Sequence, residues 1–240
     1  MHFIQPNCRL QFTAEDKAFI LDVLGADVVS QDSLEQLLAD PDTRNLLLDD
    51  DRLYHAVLDH CGCLKISCHF YFYILVRQVL RKSDLTERPV ADYVAELLAS
   101  FSKTRQMQLK LEGREEPVAL DYVCDMMAAL QTVDETTRFF IRAHIGNYSL
   151  FLTGIFPDRI RHRTERRGAP DLSYYEAMGQ ASFRVASDHR LARRYDLDQV
   201  YQTLADRFQD TRRALNDLGD RLVSLGDSDA SRYLKPWGER

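Results

Sequence analysis

The sequence has 240 residues, of which 45% are hydrophobic and 28% are charged, and its formal net charge at pH 7 is −6. A chain of this length can bury a substantial core, and its low content of glycine and proline (10 and 7 residues) excludes collagen-like, disordered and turn-rich all-β classes. The net negative charge argues against nucleic acid as a general partner, because proteins that bind phosphate backbones usually carry an excess of basic residues.

Helical patterns fill the first part of the chain, where apolar residues recur mostly at spacings of three and four. Capping residues mark the ends of three early helices: Thr13 with Asp16 and Gly25 for the first, Ser30 or Ser33 for the second, and Pro41 for the third. A further change of helix is expected near residue 50. Two longer helices follow, over about residues 66–82 and 89–101.

The middle of the chain contains the one segment with a strand pattern. Apolar and polar residues alternate near residues 106–112, which predicts one short strand or extended arm. Pro117 predicts the start of another helix. Asp134 precedes a long apolar helix that Pro157 ends or kinks, and a linker is predicted near residues 164–172.

Two more helices, over about residues 172–194 and 196–225, complete the pattern. The expected fold is therefore an all-α multi-helix bundle of about ten helices, with at most one short strand or arm and a long heptad-patterned helix at its carboxyl end. We expect a single domain over residues 1–240, with an N-terminal helical subdomain over residues 1–60 as an alternative.

Four residues of the types that bind metal ions lie close together in sequence: Cys61, Cys63, Cys68 and His69. Zinc prefers thiolates and imidazoles, so a metal site is one interpretation. The spacing does not match the C-x-x-C pattern of structural zinc sites, and neighbouring residues on a helix diverge, which favours packing inside a buried helix. We therefore expect no stoichiometric zinc and no other cofactor, and we keep the four donors as an alternative metal site.

Polar residues interrupt the apolar helix that begins after Asp134. Such residues either hydrogen-bond other helices or line a pocket, because buried polar groups must be satisfied. The candidate ligand-binding residues on this helix and on the next are Arg142, His144, Asn147, Tyr148, Tyr174 and Tyr175. The alternative interpretation is a close-packed core in which Gly146 and Gly154 allow helices to cross.

The same region resembles an uncharacterised family of bacterial helical proteins with a G-[ND]-x-[SA]-L-F-x-[ST]-G-x-F-P core and a following Y-Y-x-x-M-G. The matching residues are Gly146, Asn147, Ser149, Leu150, Phe151, Thr153, Gly154, Phe156 and Pro157, then Tyr174, Tyr175, Met178 and Gly179. The resemblance implies a bacterial, intracellular, helical protein. It implies no catalytic residue, because no activity is assigned to that family.

A basic segment follows Pro157 and contains Arg159, Arg161, Arg163, Arg166 and Arg167, together with His162. Arginine clusters can bind phosphate groups or an acidic partner. The alternative is a solvated basic face, which is the commoner role of a run of charges.

The last predicted helix has an apolar seam with alternating spacings of four and three, interrupted only by Thr211. Its members are Leu197, Tyr201, Leu204, Phe208, Thr211, Leu215, Leu218, Leu222 and Leu225. Val200, Ala205 and Ala214 widen the stripe, so we expect the helix to pack mainly within its own chain. A homo-oligomer built on the seam stays the alternative.

No motif of a known catalytic class is present, and we lean against an enzyme. The amino terminus has no basic segment before an apolar run, and Phe70–Val76, the longest apolar run, is shorter than the roughly 18 residues of a membrane span, so we expect a cytoplasmic protein with reduced cysteines. The first functional hypothesis is a protein-interaction or regulatory module. A small-molecule or metal-binding protein using His144 and Asn147 is the alternative, and a nucleic-acid binder is the third.

Overall fold

The computed structural model describes residues 3–25, 39–59, 66–103, 107–109, 118–120 and 122–224. The helices in these residues are α1 (Ala14–Gly25), α2 (Pro41–Leu48), α3 (Asp51–Asp59), α4 (Cys68–Lys82), α5 (Arg88–Lys103), α6 (Val123–Ala129), α7 (Glu135–Ile155), α8 (Pro157–Arg167), α9 (Leu172–Ser187), α10 (Arg190–Arg194), α11 (Asp198–Asp206) and α12 (Phe208–Ser224). A 3₁₀ turn at Cys8–Gln11 precedes them. The all-α fold is confirmed.

The strand content differs from the prediction of at most one short strand. Two strands, β1 (Met107–Leu109) and β2 (Val118–Leu120), pair antiparallel with Met107 opposite Leu120. A lone strand leaves its backbone N–H and C=O groups without ladder partners, so the predicted arm takes a second strand beside it. The helix expected to open at Pro117 therefore begins later, at Val123.

Side-chain caps start several helices where the sequence predicted them. Thr13 and Asp16 form a reciprocal capping box, with Thr13 N donating to Asp16 Oδ2 and Asp16 N donating to Thr13 Oγ1. Asp40 caps α2, and Asp134 caps α7. The helix predicted at Ser30 or Ser33 lies outside the described residues.

The two helices predicted at the carboxyl end are each divided. His189 caps α10 by accepting from Leu191 N, which separates α10 from α9. Arg207 leaves helical geometry (φ −112°, ψ 28°) between α11 and α12, yet the bonds Arg207 N to Thr203 O and Thr211 N to Arg207 O continue on either side. The spacing of apolar residues predicts which face of a helix is buried, but it does not predict whether the helix is continuous. The backbone can leave helical geometry at a single residue while the apolar residues on either side stay buried.

The chain divides into two compact units, one of residues 1–5 and 100–219 and the other of residues 6–99 and 220–240. The single domain over residues 1–240 stays a prediction. Residues 164–167 of the predicted linker form the last turn of α8, and Gly168 follows in the left-handed conformation that ends the helix (φ 61°).

The core of the unit that contains residues 6–99 is built around α4. Ser67 caps this helix by accepting from Phe70 N, and the helix is buried from Phe70 to Leu80. Its apolar residues include Phe70, Phe72, Leu75, Val76 and Leu80, all at most 1% exposed. The buried central helix predicted from the sequence is therefore present.

The unit that contains residues 100–219 packs α7 against α9 and α9 against α11. The described seam residues are buried inside this chain: Leu197, Tyr201, Leu204, Phe208, Thr211, Leu215 and Leu218 are all 0% exposed. The seam is therefore used for packing within the chain, as the sequence predicted. Among the described residues, none of the helices combines the length and the apolar character that a membrane span requires.

Candidate functional site

Helix α8 carries the basic segment, and both of its ends are set by local sequence. Pro157 occupies the first turn, where a missing N–H costs no hydrogen bond. Gly168 N donates to Thr164 O, and the Thr164 hydroxyl donates to Pro170 O at 3.1 Å, so the chain after the helix is held against its last turn. The arginines therefore lie on a well-defined helix.

Four basic residues share one face of α8, because their spacings of three and four place them side by side. Arg159 and Arg163 are half-buried on this face, and His162 and Arg166 are exposed. The acidic residues of the helix, Asp158 and Glu165, lie towards a different edge. One face of the helix is therefore purely basic.

An exposed tyrosine borders this face. Tyr122, at the N-cap of α6, is 50% exposed, and the Arg163 guanidinium carbon lies 5.8 Å from the centre of its ring. This distance is within the range of a cation–π contact. We call the set Tyr122, Arg159, His162, Arg163 and Arg166 the α8 basic surface.

The predicted residues Tyr174 and Tyr175 lie next to this surface. The two rings meet edge to face at 5.5 Å. Burial raises the pKa of Tyr175, and the charge of Arg163 opposes that rise, which places the Tyr175 hydroxyl within electrostatic reach of Arg163. Tyr122 also acts on the same hydroxyl. The tyrosine pair and the arginine segment, separate candidates in the sequence, therefore belong to one region.

The other two arginines of the segment have simpler roles. Arg161 pairs with Asp158 one helical turn away at 3.2 Å, and both side chains are mostly exposed. Such a surface pair contributes little to stability. Arg167 is exposed in the last turn, where a cation interacts favourably with the helix dipole.

The interior candidates on α7 are arranged as ring contacts. His144 stacks on Phe101 at 5.7 Å and on Tyr148 at 6.3 Å between ring centres. Desolvation lowers the pKa of His144 to about 4, so the imidazole is neutral at pH 7. Asn147 is buried on the same helix.

Arg142 lies apart from these rings. Its Nη1 is 3.7 Å from Met127 Sδ, and burial lowers its pKa. A ligand site formed by Arg142, His144, Asn147 and Tyr148 stays a prediction.

Two glycines of α7, Gly146 and Gly154, serve packing. A Cβ at Gly146 would lie 2.7 Å from the ring of Phe183, and one at Gly154 would lie 2.9 Å from Leu215 Cβ. Asn216 then donates from Nδ2 to the carbonyl oxygens of Thr153 and Gly154, the last turn of α7. Gly146 and Gly154 thus permit close helix crossings.

Two of the four proposed metal ligands are described. Cys68 is buried, and His69 Nε2 lies 3.5 Å from Glu96 Oε2. Cys61 and Cys63 lie outside the described residues, so the alternative metal site is untested. Within the described ranges, no group of three or more histidine, cysteine or acidic side chains could hold a metal ion.

A set of buried charges on α4 and α5 was not predicted from the sequence. Asp92 and Glu96 are 3% and 6% exposed, and Asp92 accepts from Arg9 N at 2.9 Å and from Arg9 Nε at 3.2 Å. Arg77 on α4 contacts Asp49 through its Nε and Nη2. The signal was the i, i+4 spacing of the two acids within an otherwise apolar helix.

Comparison with known proteins adds no relative: no protein-family model, curated protein or solved structure matches this chain.

Proposed function

We propose that this chain is a helical protein-interaction module of the bacterial cytoplasm, and that its α8 basic surface binds an acidic segment of a partner protein. The observation that carries this proposal is the Arg163 guanidinium over the exposed Tyr122 ring. The cytoplasmic and bacterial setting rests on the sequence composition and on the family resemblance.

A guanidinium that lies over an aromatic ring is suited to hold a carboxylate. The contact orients the planar group, whose N–H fork matches the two oxygens of a carboxylate. Arg159 and Arg166 are one turn from Arg163 on the same face, so successive acidic side chains of an extended segment can each meet a cation. Tyr122 adds an apolar ring with a polar tip, a residue type enriched at interfaces.

The charge of the rest of the chain favours protein over nucleic acid. A net charge of −6 repels a phosphate backbone over long range, whereas a short acidic segment needs only a local basic face. Two acidic residues on α8 itself, Asp158 and Glu165, would also oppose a long polyanion.

The test is a comparison of two doubly charge-reversed variants. Arg163→Glu with Arg166→Glu removes the surface, and Arg193→Glu with Arg194→Glu, at exposed positions of α10, makes the same change in net charge elsewhere. Fluorescence anisotropy would follow a labelled peptide rich in Glu and Asp. Two exposed ion pairs of up to about 1 kcal/mol each predict that the first variant binds the peptide more weakly, by up to about thirtyfold.

Equal binding by the parent and by both variants would show that α8 is only a solvated basic face. Equal losses in the two variants would show that net charge, and not this surface, attracts the peptide. A labelled DNA duplex serves as the second probe. Tighter and strongly salt-dependent binding of the duplex would favour the nucleic-acid hypothesis.

A further inference from the structure

Tyr122 is the only exposed tyrosine among the residues that the structure describes. Its exposed fraction is 50%, whereas Tyr148, Tyr174 and Tyr195 are half-buried and the other described tyrosines are buried. The side chain takes no part in capping α6, although Tyr122 occupies the N-cap position. Its hydroxyl is therefore open to an enzyme, and a group attached there displaces no cap and no core contact.

The backbone at Tyr122 is extended and lies outside the helices. The residue is located between β2 and α6, and its φ of −126° and ψ of 147° are those of an extended chain. A kinase has to align the acceptor hydroxyl with the γ-phosphate of ATP, and an extended segment enters an active-site cleft more readily than a residue inside a helix. Tyr148 and Tyr174 both lie inside helices, α7 and α9. Exposure and backbone conformation therefore single out Tyr122.

The sequence around Tyr122 is acidic. Residues 115–125 contain four acidic residues and no basic one: Glu115, Glu116, Asp121 and Asp125. Kinases select their substrates partly by the charge pattern of the segment that carries the acceptor. Tyr122 is therefore marked in the sequence by its charged neighbours as well as by its exposure in the fold.

Arg163 is in position to pair with a phosphate on the Tyr122 ring. Its guanidinium carbon is 5.8 Å from the ring centre, so rotation of the long side chain brings its N–H fork to a group attached to the same ring. Guanidinium groups bind phosphate oxygens through pairs of charge-assisted hydrogen bonds. Arg166 is one turn further along the same face of α8 and is exposed. A phosphate on Tyr122 therefore has a cation beside it and a second one nearby.

We propose that Tyr122 is a phosphorylation site, and that its phosphate pairs with Arg163 and prevents the α8 basic surface from binding its acidic partner. A protein tyrosine kinase transfers the γ-phosphoryl group of ATP to Tyr122 Oη. The bond from the γ-phosphorus to ADP breaks, a bond from that phosphorus to Oη forms, and the hydroxyl proton passes to a base of the kinase. The phosphate carries about two negative charges at pH 7 and offsets two of the three arginines on this face.

The effect on partner binding rests on the proposed function of the α8 basic surface, whereas the pairing of the phosphate with Arg163 does not. The experiments therefore examine the modification, the pairing and the binding separately.

The first experiment incubates the folded full chain with a broad-specificity tyrosine kinase, ATP and Mg²⁺, and locates the phosphate by tandem mass spectrometry. Phosphate on Tyr122 is expected. Tyr122→Phe keeps the ring and should lose this phosphate. Modification of other tyrosines while Tyr122 stays unmodified would overturn the proposal, and so would a folded chain that takes up no phosphate.

The second experiment titrates the phosphate of the phosphorylated chain by ³¹P NMR. Its second pKa should lie below the ordinary value of about 6, because a neighbouring cation favours the dianion. Arg163→Ala should move this pKa back towards 6. Arg161→Ala is the matched control and should leave the pKa unchanged, since Arg161 pairs with Asp158. The same pKa in all three proteins would overturn the pairing with Arg163.

The third experiment measures binding of the labelled Glu- and Asp-rich peptide before and after kinase treatment. Phosphorylation should weaken binding by up to about thirtyfold, the loss expected for two exposed ion pairs. Tyr122→Phe should bind the peptide equally well before and after the same treatment. Unchanged binding by the phosphorylated parent would overturn the regulation. If the unmodified parent does not bind the peptide, the proposed function and its regulation both fail, and the NMR titration still decides whether the phosphate pairs with Arg163.

Discussion

The ring of Phe208 lies against Gly179 so closely that a Cβ at position 179 would be 2.5 Å from Phe208 Cε2 and 2.6 Å from Cζ. Ser149 Cβ, on α7, would be only 2.9 Å away. Three helices, α7, α9 and α12, therefore meet at one glycine. The absence of a side chain at this position is required by packing and not by backbone conformation.

Gly179→Ala should destabilise the protein by about 1–3 kcal/mol, the usual cost of inserting a methyl group into a filled core. Gly219→Ala, on α12, is the matched control, because the nearest atom to a Cβ there is Ile155 O at 3.7 Å. Alanine is the better helix former, so the control should gain up to about 1 kcal/mol. Urea unfolding of both variants measures the difference. Equal effects of the two substitutions would contradict the role given to Gly179.

Phe208→Asp should unfold the unit that contains residues 100–219. Phe208 is 0% exposed and packs on Phe183 at 6.3 Å between ring centres, so the substitution buries a carboxylate without a partner. Circular dichroism and size-exclusion chromatography follow the result. A soluble, fully helical monomer from this variant, beside a dimeric parent, would show instead that the seam is an interface between copies of the chain.

Asp49→Asn should destabilise the protein by about 3 kcal/mol, because it leaves Arg77 without its counter-charge in a buried position. The Arg77 side chain is only 6% exposed. Asp50→Asn is a suitable control, since its partner Arg52 is 53% exposed. Chemical unfolding of the two variants should separate them clearly, and a similar small loss in both would show that the Asp49 cluster is not a structural one.

The same carboxylate gives a pH dependence. Burial acts to raise the pKa of Asp49, but hydrogen bonds and charges from Arg77 and Arg88 outweigh it, and the pKa is lowered. The unfolded chain then binds the proton more readily, so the stabilisation is present above the unfolded value of about 3.9 and is lost as pH falls through the folded value. Stability measured from pH 5 to pH 2 should fall more steeply in the parent than in Asp49→Asn.

His144 predicts a second pH dependence in a different range. Because its folded pKa, about 4, is below the unfolded value of about 6.5, stability should be complete above pH 6.5 and should decline as pH falls towards 4. His144→Phe keeps a ring against Phe101 and Tyr148 and should remove this decline. An imidazole NMR titration of the parent with a midpoint near 6.5 would contradict the desolvated environment of His144.

Local signals in the sequence predicted much of the fold. Residues that start or end helices act on backbone groups only a few positions away, so short sequence patterns are enough to predict their effects. The examples are the Thr13–Asp16 capping box, Pro41, Asp134 and Pro157. Arg207 carries no such signal, since neither glycine nor proline marks the turn between α11 and α12. Its turn becomes visible only in the folded chain.

The candidate site was predicted in pieces and not as a whole. The arginines of α8 and the Tyr174–Tyr175 pair are both recognisable in the sequence, but no sequence pattern marks Tyr122 as part of the same site. Its contact with Arg163 joins residues that are far apart in sequence, and no helical period encodes such a contact. The pairing of Arg9 with Asp92 was not predicted either, because these two residues are also far apart in sequence.

The carboxylate of Asp16 couples the first turns of two helices, α1 and α4. Besides capping α1, its carboxylate accepts from Ser67 N at 2.6 Å and from Ser67 Oγ at 2.7 Å, and Ser67 is the N-cap of α4. One buried acceptor therefore organises the first turns of two helices that are 51 residues apart in the chain. Neither first turn is complete until the other has formed, so the two should open together and exchange their amide hydrogens as a single cooperative unit.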